Sequence, residues 1–129
     1  GGSKGDRPIV VSYATSPPAE VIFAKVRPKT APTAAVTSTC FRQVELAGVL
    51  KGAKNPAGAK AFIDFMTQKS FQKALPDNMY VYPVDRTVAL PADWAKYAKT
   101  APEPFTVPPA EIAKNRSTWL SQWSDVTTR

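Results

Sequence analysis

The stretch "VVSYATSPPAEV", residues 10–21, begins as a strand and ends as a loop. Its β-branched residues favour extended backbone, so residues 8–13 are predicted to form a short strand buried on both faces. The hydroxyls of Tyr13, Thr15 and Ser16 follow, and the double proline after them prevents the strand from continuing. A strand that ends in a cluster of hydroxyls is typical of a ligand-binding loop, although ordinary turns have the same composition.

The middle of the chain alternates between strand and helix signals. Residues 36–46, "VTSTCFRQVEL", are rich in β-branched side chains and predict a second strand. Asn55 can cap a helix that Pro56 opens. A second short helix follows and is predicted to end at Pro76. The apolar stripe on these helices is a cofactor box or a core face, and we favour the core. Its members are Ala57, Ala61, Phe62, Phe65, Met66, Phe71, Ala74 and Leu75.

The last third predicts an extended segment and two further helices. In "DNMYVYPV", residues 77–84, strand spacing would point Tyr80 and Tyr82 the same way. "VALPADWAKYA" predicts a short helix or turn, and a final helix is expected from about Pro109 to Asp125. Trp119 and Trp123 on that helix are expected to pack in a core or against a lobe. Strands interleaved with helices indicate an α/β or α+β protein.

Composition favours a binding protein over an enzyme. The 129 residues suffice for one modest domain, and the 43% hydrophobic content supports a packed core. The net charge of +7 suits anionic partners, but the lysines are scattered as on a solvated surface. With one cysteine, Cys40, and no histidine, an intrachain disulfide, a histidine metal site and a histidine relay are all excluded. We expect Cys40 to be a small core residue.

Several segments together resemble one family, the thiamine-binding proteins of bacterial ABC transporters, within the extracellular solute-binding proteins. The helical segments are shared widely in that superfamily, whereas "VVSYATSP", "YPV" and "PAEIAKNRSTWLSQW" narrow the resemblance to the thiamine branch. The matching segments are "IVVSYATSP" (9–17), "FRQVELAGVLKGAKNPAGAKAFIDFM" (41–66), "SFQKALPDNMYVYPV" (70–84), "LPADW" (90–94) and "PPAEIAKNRSTWLSQW" (108–123).

The resemblance implies the α/β architecture of a two-lobed periplasmic-binding-protein type II fold, which closes on its ligand about a hinge. Residues 1–129 would be a C-terminal fragment with parts of both lobes and a hinge crossover, and the N-terminal lobe would be absent. The proline-rich linkers at 28–38 and 100–108 are expected to pass near the hinge.

The resemblance also implies a function. The protein would be the non-enzymatic substrate-binding component of an ABC importer, capturing thiamine or a thiamine phosphate and delivering it to the permease. It would work in the periplasm or on the outer face of the cytoplasmic membrane, with or without a lipid anchor. Its partners would be the permease and the missing N-terminal part. No cofactor, metal or nucleic acid is expected, and the fragment alone should bind weakly.

Five residues are expected to contact the ligand: Tyr13, Thr15, Ser16, Tyr80 and Tyr82. Tyrosine rings can stack on the cationic thiazolium of thiamine, and hydroxyls with nearby backbone N–H groups can bond its heteroatoms or a phosphate. For Tyr13 a second interpretation stays open, that of an ordinary residue at the end of a strand with no ligand contact.

Two positions depart from the resemblance. Thiamine binders usually carry an aromatic residue where this chain has Ala19, and a tryptophan where it has Tyr80. Stacking must therefore differ, another ring must compensate, or the ligand must be a different cation. Glu20 could pair with a cationic ring or cap a helix, and we favour the cap.

Two alternatives stay open. The first is a solute-binding protein of the same fold for ferric iron, a polyamine or an anion, although iron binders use adjacent tyrosines and Val81 separates Tyr80 from Tyr82. The second is a small basic nucleic-acid-binding domain, for which "YVYPVDR" is the nearest but weak aromatic and basic cluster.

Overall fold

The computed structural model describes residues 8–128, which are mainly helical. One isolated parallel bridge, between Phe41 and Phe105, is the β pairing found in this range. The elements in chain order are helix α1 (Ser16–Ile22), a 3₁₀ turn (Thr37–Thr39), α2 (Pro56–Met66), α3 (Lys69–Met79), α4 (Ala92–Tyr97) and α5 (Pro109–Thr127).

The predicted strands do not form. Residues 8–13 and 36–46 are irregular apart from the 3₁₀ turn and the bridge, and 80–84 are an irregular loop. A strand needs a neighbour to pair its backbone groups, and a run of β-branched residues cannot supply one. Ile9, next to the hydroxyl cluster, is accordingly exposed rather than buried. The interpretation of these stretches as strands of this chain alone is therefore wrong.

Helix α1 begins at Ser16, where the sequence predicted a turn followed by at most one helical turn over residues 21–23. Pro17 and Pro18 occupy its first turn, where a proline's missing N–H costs no hydrogen bond. The N–H of Phe23 donates to the carbonyl of Ala19 at 3.0 Å and closes the helix. The double proline thus starts a helix as well as stopping the preceding extended segment.

Helix α2 forms as predicted, with its cap in place. The Oδ1 atom of Asn55 accepts a hydrogen bond from the N–H of Gly58 at 2.9 Å, and Pro56 opens the helix. The prediction of a buried face is wrong, because Phe62 is 59% and Phe65 45% exposed. Helix α2 packs against α3, and this one neighbour leaves much of its apolar stripe uncovered.

Helix α3 continues through Pro76, so the predicted end at this residue is wrong. Pro76 is fully buried, and the helix ends three residues later at Met79, followed by Tyr80, whose φ of 56° is left-handed. The side chain of Gln72, inside α3, holds the segments before and after this helix in place. It donates to the carbonyl of Met66 at 2.7 Å and accepts from the N–H of Val84 at 2.8 Å.

The buried core centres on Trp94 of α4, which has no exposed surface. Helix α4 packs against α1, and Val21 of α1 is also buried. Arg27, just after α1, donates two hydrogen bonds of 2.8 and 2.9 Å to the carboxylate of Asp93 on α4. These contacts hold the hydroxyl cluster that precedes α1 next to α4.

Helix α5 confirms the predicted C-terminal helix and extends it slightly. Trp119 and Trp123 were expected in a core or against a lobe; they are 39% and 54% exposed, and α5 contains no buried residue, so they do not lie in the core of this chain. Within residues 8–128, none of the helices combines the length and the apolar character required to span a bilayer.

Candidate ligand-binding pocket

A cavity of about 190 Å³ lies between the start of α1 and the end of α3. It brings together four of the five residues predicted to contact a ligand: Tyr13, Thr15, Ser16 and Tyr80. Ala19 and Phe23 of α1 complete the lining. The fifth, Tyr82, does not line this cavity. Residues from two distant parts of the chain therefore share one opening.

The turn before α1 presents the hydroxyls. The N–H of Ser16 donates to the carbonyl of Tyr13 at 3.0 Å, which closes the turn. The hydroxyls of Ser16 and Ser12 are hydrogen-bonded at 2.7 Å. Thr15 is buried at the cap position, yet its side chain makes no capping hydrogen bond. Its hydroxyl is not used to cap the helix.

Backbone N–H groups are scarce at this end of α1. The Ser16 N–H is already bonded to Tyr13, and Pro17 and Pro18 have none. The first three positions of α1 therefore offer no free backbone donor to a phosphate. The hydroxyl side chains are the polar groups that the turn offers.

Tyr80 reaches the cavity from an unusual backbone conformation. It is the one non-glycine residue of the described range with positive φ, a state that costs roughly 1–2 kcal/mol for L-residues. Its N–H donates to the carbonyl of Pro76 at 3.2 Å and ends α3. Strained residues often occur at functional sites. This conformation places the ring between α1 and α4.

Two aromatic contacts hold the Tyr80 ring, and a third joins Tyr82 to the same tryptophan, Trp94. The centroid of Tyr80 lies 5.6 Å from that of Phe23 at an interplanar angle of 48°. On the other side it stacks on Trp94 at 6.1 Å and 30°. Tyr82 meets the same indole edge-on at 5.5 Å and 90°. Tyr80 and Tyr82 thus contact one tryptophan, which the expected strand spacing did not foresee.

The polar atoms of this aromatic cluster are buried without a hydrogen-bond partner. They are the hydroxyls of Tyr80 and Tyr82 and the indole Nε1 of Trp94. Burial raises the pKa of the Tyr80 phenol above its ordinary value of 10.0, and the nearby Asp77 carboxylate raises it further. Burial, and secondly the charge of Cys40, raises the pKa of Tyr82. Both phenols are therefore held in the neutral form.

Phe23 is the lining residue that the sequence did not single out. It follows Ala19 by four residues, so both lie on the same face of α1. The signal was available in that spacing, but it could be used only once residues 16–22 were known to be helical. Ala19, which replaces the aromatic residue expected from the resemblance, therefore lies close to the ring of Phe23.

The preference for Glu20 as a helix cap is wrong. Glu20 lies inside α1, where its carboxylate has no unpaired N–H to cap, and it accepts a hydrogen bond from the Thr33 hydroxyl at 2.9 Å. That bond ties α1 to the following proline-rich segment.

The two proline-rich linkers lie side by side. The N–H of Phe105 donates to the carbonyl of Cys40 at 2.8 Å, and a second cavity of about 270 Å³ lies beside this bridge. Thr37 and Ser38 line it from the first linker, with Pro102 and Glu103 from the second. Cys40, two residues after the first linker, is half-buried and does not belong to the core.

Comparison with known proteins identifies first a class of protein and then individual relatives. The chain is similar to periplasmic binding proteins. The matched proteins are each named thiamine-binding periplasmic protein. Those of Brucella melitensis and Brucella suis are 37% identical over 129 residues. That of Escherichia coli is 36% identical over 127 residues. The resemblance expected from the sequence is confirmed.

The similarity includes 98% of this chain but only 37% of each relative. The chain thus spans little more than a third of the length of the curated relatives it matches. No family model matches the chain, and no solved structure matches it.

Proposed function

We propose that this chain is part of the substrate-binding component of an ABC importer that captures thiamine. The observation that carries the proposal is the shared cavity of the hydroxyl turn and Tyr80, in a chain similar to thiamine-binding periplasmic proteins. The component is not an enzyme and works in the periplasm or on the outer face of the cytoplasmic membrane. It hands its ligand to a membrane permease.

The cavity's size supports only a partial site. About 190 Å³ is below the roughly 300–1,000 Å³ typical of pockets that enclose a drug-sized ligand. It suits one ring of thiamine, and the second ring needs further walls. Those walls come from the rest of a two-lobed α/β protein of periplasmic-binding-protein type II architecture, in which residues 1–129 form a C-terminal part.

The uncovered apolar surfaces support the same domain proposal. The α2 face with Phe62 and the α5 face with Trp123 are largely exposed, as is the extended segment around Val10. Apolar side chains exposed along a helix face are typical of an interaction surface. In the proposal, these surfaces pack against the remaining part of the protein, and residues 9–11 gain strand partners there.

The charges around the cavity favour a cation over an anion. None of the six described lining residues is a lysine or arginine, and Asp77 is close enough to act on Tyr80. A phosphate would be held best by positive side chains, and none of the six lining residues supplies one. The thiazolium of thiamine therefore suits this part of the site, while a phosphate tail would need donors elsewhere.

Among the alternatives, ferric iron is disfavoured by the tyrosines themselves. Iron ligation requires an exposed phenolate, but the hydroxyls of Tyr80 and Tyr82 are buried and their pKa values are raised. A polyamine would share the attraction to Asp77 and to the ring faces, so the titration has to include spermidine as a competitor. For an anion, the cavity has no basic side chain in its lining. For a nucleic acid, the protein would need a basic surface beside the aromatic cluster.

Hinge closure is the proposed mechanism. The linkers at 28–38 and 100–108 line one cavity, and Phe105 of the second is bonded to Cys40 just after the first, which supports their passage near a hinge. Closure would bring the second lobe over the Tyr80 wall, and the closed form would then dock on the permease. A decrease of the radius of gyration on adding thiamine, measured by solution X-ray scattering of the complete protein, would test this step.

The direct test is a calorimetric titration of the complete protein with thiamine. Tyr80→Leu should weaken binding at least about fivefold, because a leucine lacks the π face that attracts a cation. Tyr80→Phe should bind within about twofold of the wild type, since the buried hydroxyl makes no contact to lose. Tyr97→Leu, a tyrosine of α4 outside the lining, is the matched control.

Two results would reject the function. One is the absence of heat from thiamine in the unchanged protein, with saturation by ferric iron, spermidine or phosphate instead. The other is salt-dependent binding of DNA in the same concentration range.

A further inference from the structure

Phe23 is a large apolar side chain that lines the cavity and yet is 68% exposed. It sits on the same face of α1 as Ala19, one turn later, and its N–H is bonded to the Ala19 carbonyl at 3.0 Å. The methyl group of Ala19 leaves the space in front of this face open. A ring at residue 23 can therefore be reached from the cavity.

The distance between the two rings excludes one common arrangement. A planar group held between two rings needs them roughly 7 Å apart, because each contact takes about 3.5 Å. The Phe23 and Tyr80 centroids are only 5.6 Å apart and the planes are inclined at 48°. The rings already touch each other, so they form one continuous wall with no slot between them.

We propose that Phe23 is a ligand-contacting residue that supplies the ring missing at Ala19, so that a planar cation packs against a single wall made by Phe23 and Tyr80. This inference rests on the proposed function and names the residue that determines its specificity. The ligand lies across two inclined faces and is not enclosed between parallel ones.

The chemistry of the wall suits a cationic ring. A cation over an aromatic face is attracted by the ring quadrupole, and the attraction increases from phenylalanine to tryptophan. The carboxylate of Asp77, close enough to act on Tyr80, also attracts a cation. A phenylalanine whose only role was to pack against Tyr80 would be replaced by leucine without loss of this charge preference.

The experiment is a series at residue 23 in the complete protein, titrated with thiamine by calorimetry. Phe23→Leu should weaken binding about three- to thirtyfold, and Phe23→Trp should bind as tightly as the wild type or more tightly. Adding Ala19→Phe to Phe23→Leu should restore affinity, because a ring then returns to the same helix face. Tyr97→Leu, the same loss of an aromatic ring at a residue of α4 outside the lining, should change nothing.

The outcomes separate this inference from the function on which it rests. If the unchanged protein fails to bind thiamine, the proposed function is wrong. If the unchanged protein binds but Phe23→Leu stays within twofold of it, only the role of Phe23 is overturned. An equal loss in Tyr97→Leu would also overturn it. Melting temperatures close to that of the wild type, expected for so exposed a side chain, exclude misfolding as the cause.

Discussion

The indole of Trp94 lies stacked against the ring of Tyr80, with centroids 6.1 Å apart and planes inclined at 30°. Trp94 comes from α4 and is wholly buried, whereas Tyr80 ends α3 and faces the cavity. One contact therefore joins the small core of the chain to the wall of its candidate site. A substitution of Trp94 in the core should therefore also alter the position of Tyr80 in the cavity wall.

Trp94→Ala should destabilise the chain by about 3–5 kcal/mol, because it leaves a large cavity among α1, α4 and the two tyrosines. Trp119→Ala is the matched control, since Trp119 lies on the unburied helix α5 and should cost less than about 1 kcal/mol. Urea unfolding of the 129-residue chain, followed by circular dichroism, measures both. Equal losses in the two variants would mean that the core does not centre on Trp94.

Gln72→Leu should destabilise the chain by about 1–3 kcal/mol, although leucine is apolar and of similar size. Gln72 is 5% exposed and bonds both the Met66 carbonyl and the Val84 N–H, which would then lack partners. Gln68→Leu, an exposed glutamine with no side-chain cap bond, is the control.

Amide hydrogen exchange of Val84 gives a local readout for the same pair of variants. Exchange at Val84 should accelerate in Gln72→Leu and stay unchanged in Gln68→Leu, because only Gln72 accepts a hydrogen bond from that N–H. Unchanged protection in Gln72→Leu would show that this side chain does not hold the segment after Tyr80.

The sequence predicted the helices best where local signals decide. Asn55 and Pro56 place the start of α2 through one cap and one fixed φ, and both depend on neighbouring residues alone. The strand predictions failed because pairing requires a distant partner, which composition does not reveal. Helix α3 passes Pro76 because burial of the proline and the bonds of Gln72 outweigh the missing N–H.

The site was predicted in part for the same reason. The hydroxyl turn is local, and the resemblance joined it to Tyr80. Phe23 was missed because its place in the lining depends on α1 being helical and on Tyr80 adopting a left-handed conformation. The exposed faces of α2 and α5 were misassigned because amphipathic spacing shows that a helix face is apolar, but not what covers it.

The raised pKa values of Tyr80 and Tyr82 predict a loss of stability in alkali. Below pH 10 both phenols are neutral in the folded and unfolded chain, and they contribute no pH dependence. Above pH 10 the unfolded chain loses its protons first, so the free energy of unfolding should fall as pH rises through the raised values. Tyrosinate absorbance should show a late-titrating component.

Tyr82→Phe should remove part of that late component and reduce the alkaline loss, with little change at neutral pH, because its hydroxyl has no partner. Urea denaturation at a series of pH values measures the stability change. If all four tyrosines of the chain titrate together near 10, the buried aromatic cluster does not exist in solution.

The cap of α2 predicts that alanine at Gly58 does not give its usual stabilisation of a helix. Alanine normally stabilises a helix by about 1 kcal/mol over glycine. A Cβ at Gly58 would lie 2.6 Å from the Asn55 side chain, however, and would displace the group that accepts the Gly58 N–H. Gly58→Ala should therefore gain little or nothing, and Asn55→Ala alone should lose about 1 kcal/mol.

The double variant completes this test. With Asn55 already replaced by alanine, Gly58→Ala meets no displaced cap and should give its full gain of about 1 kcal/mol. The two substitutions are thus non-additive, and the coupling between them measures the cap directly. Helix content and urea midpoints of the four chains supply the comparison. Additive effects would show that Asn55 does not cap α2 in solution, although Pro56 still begins it.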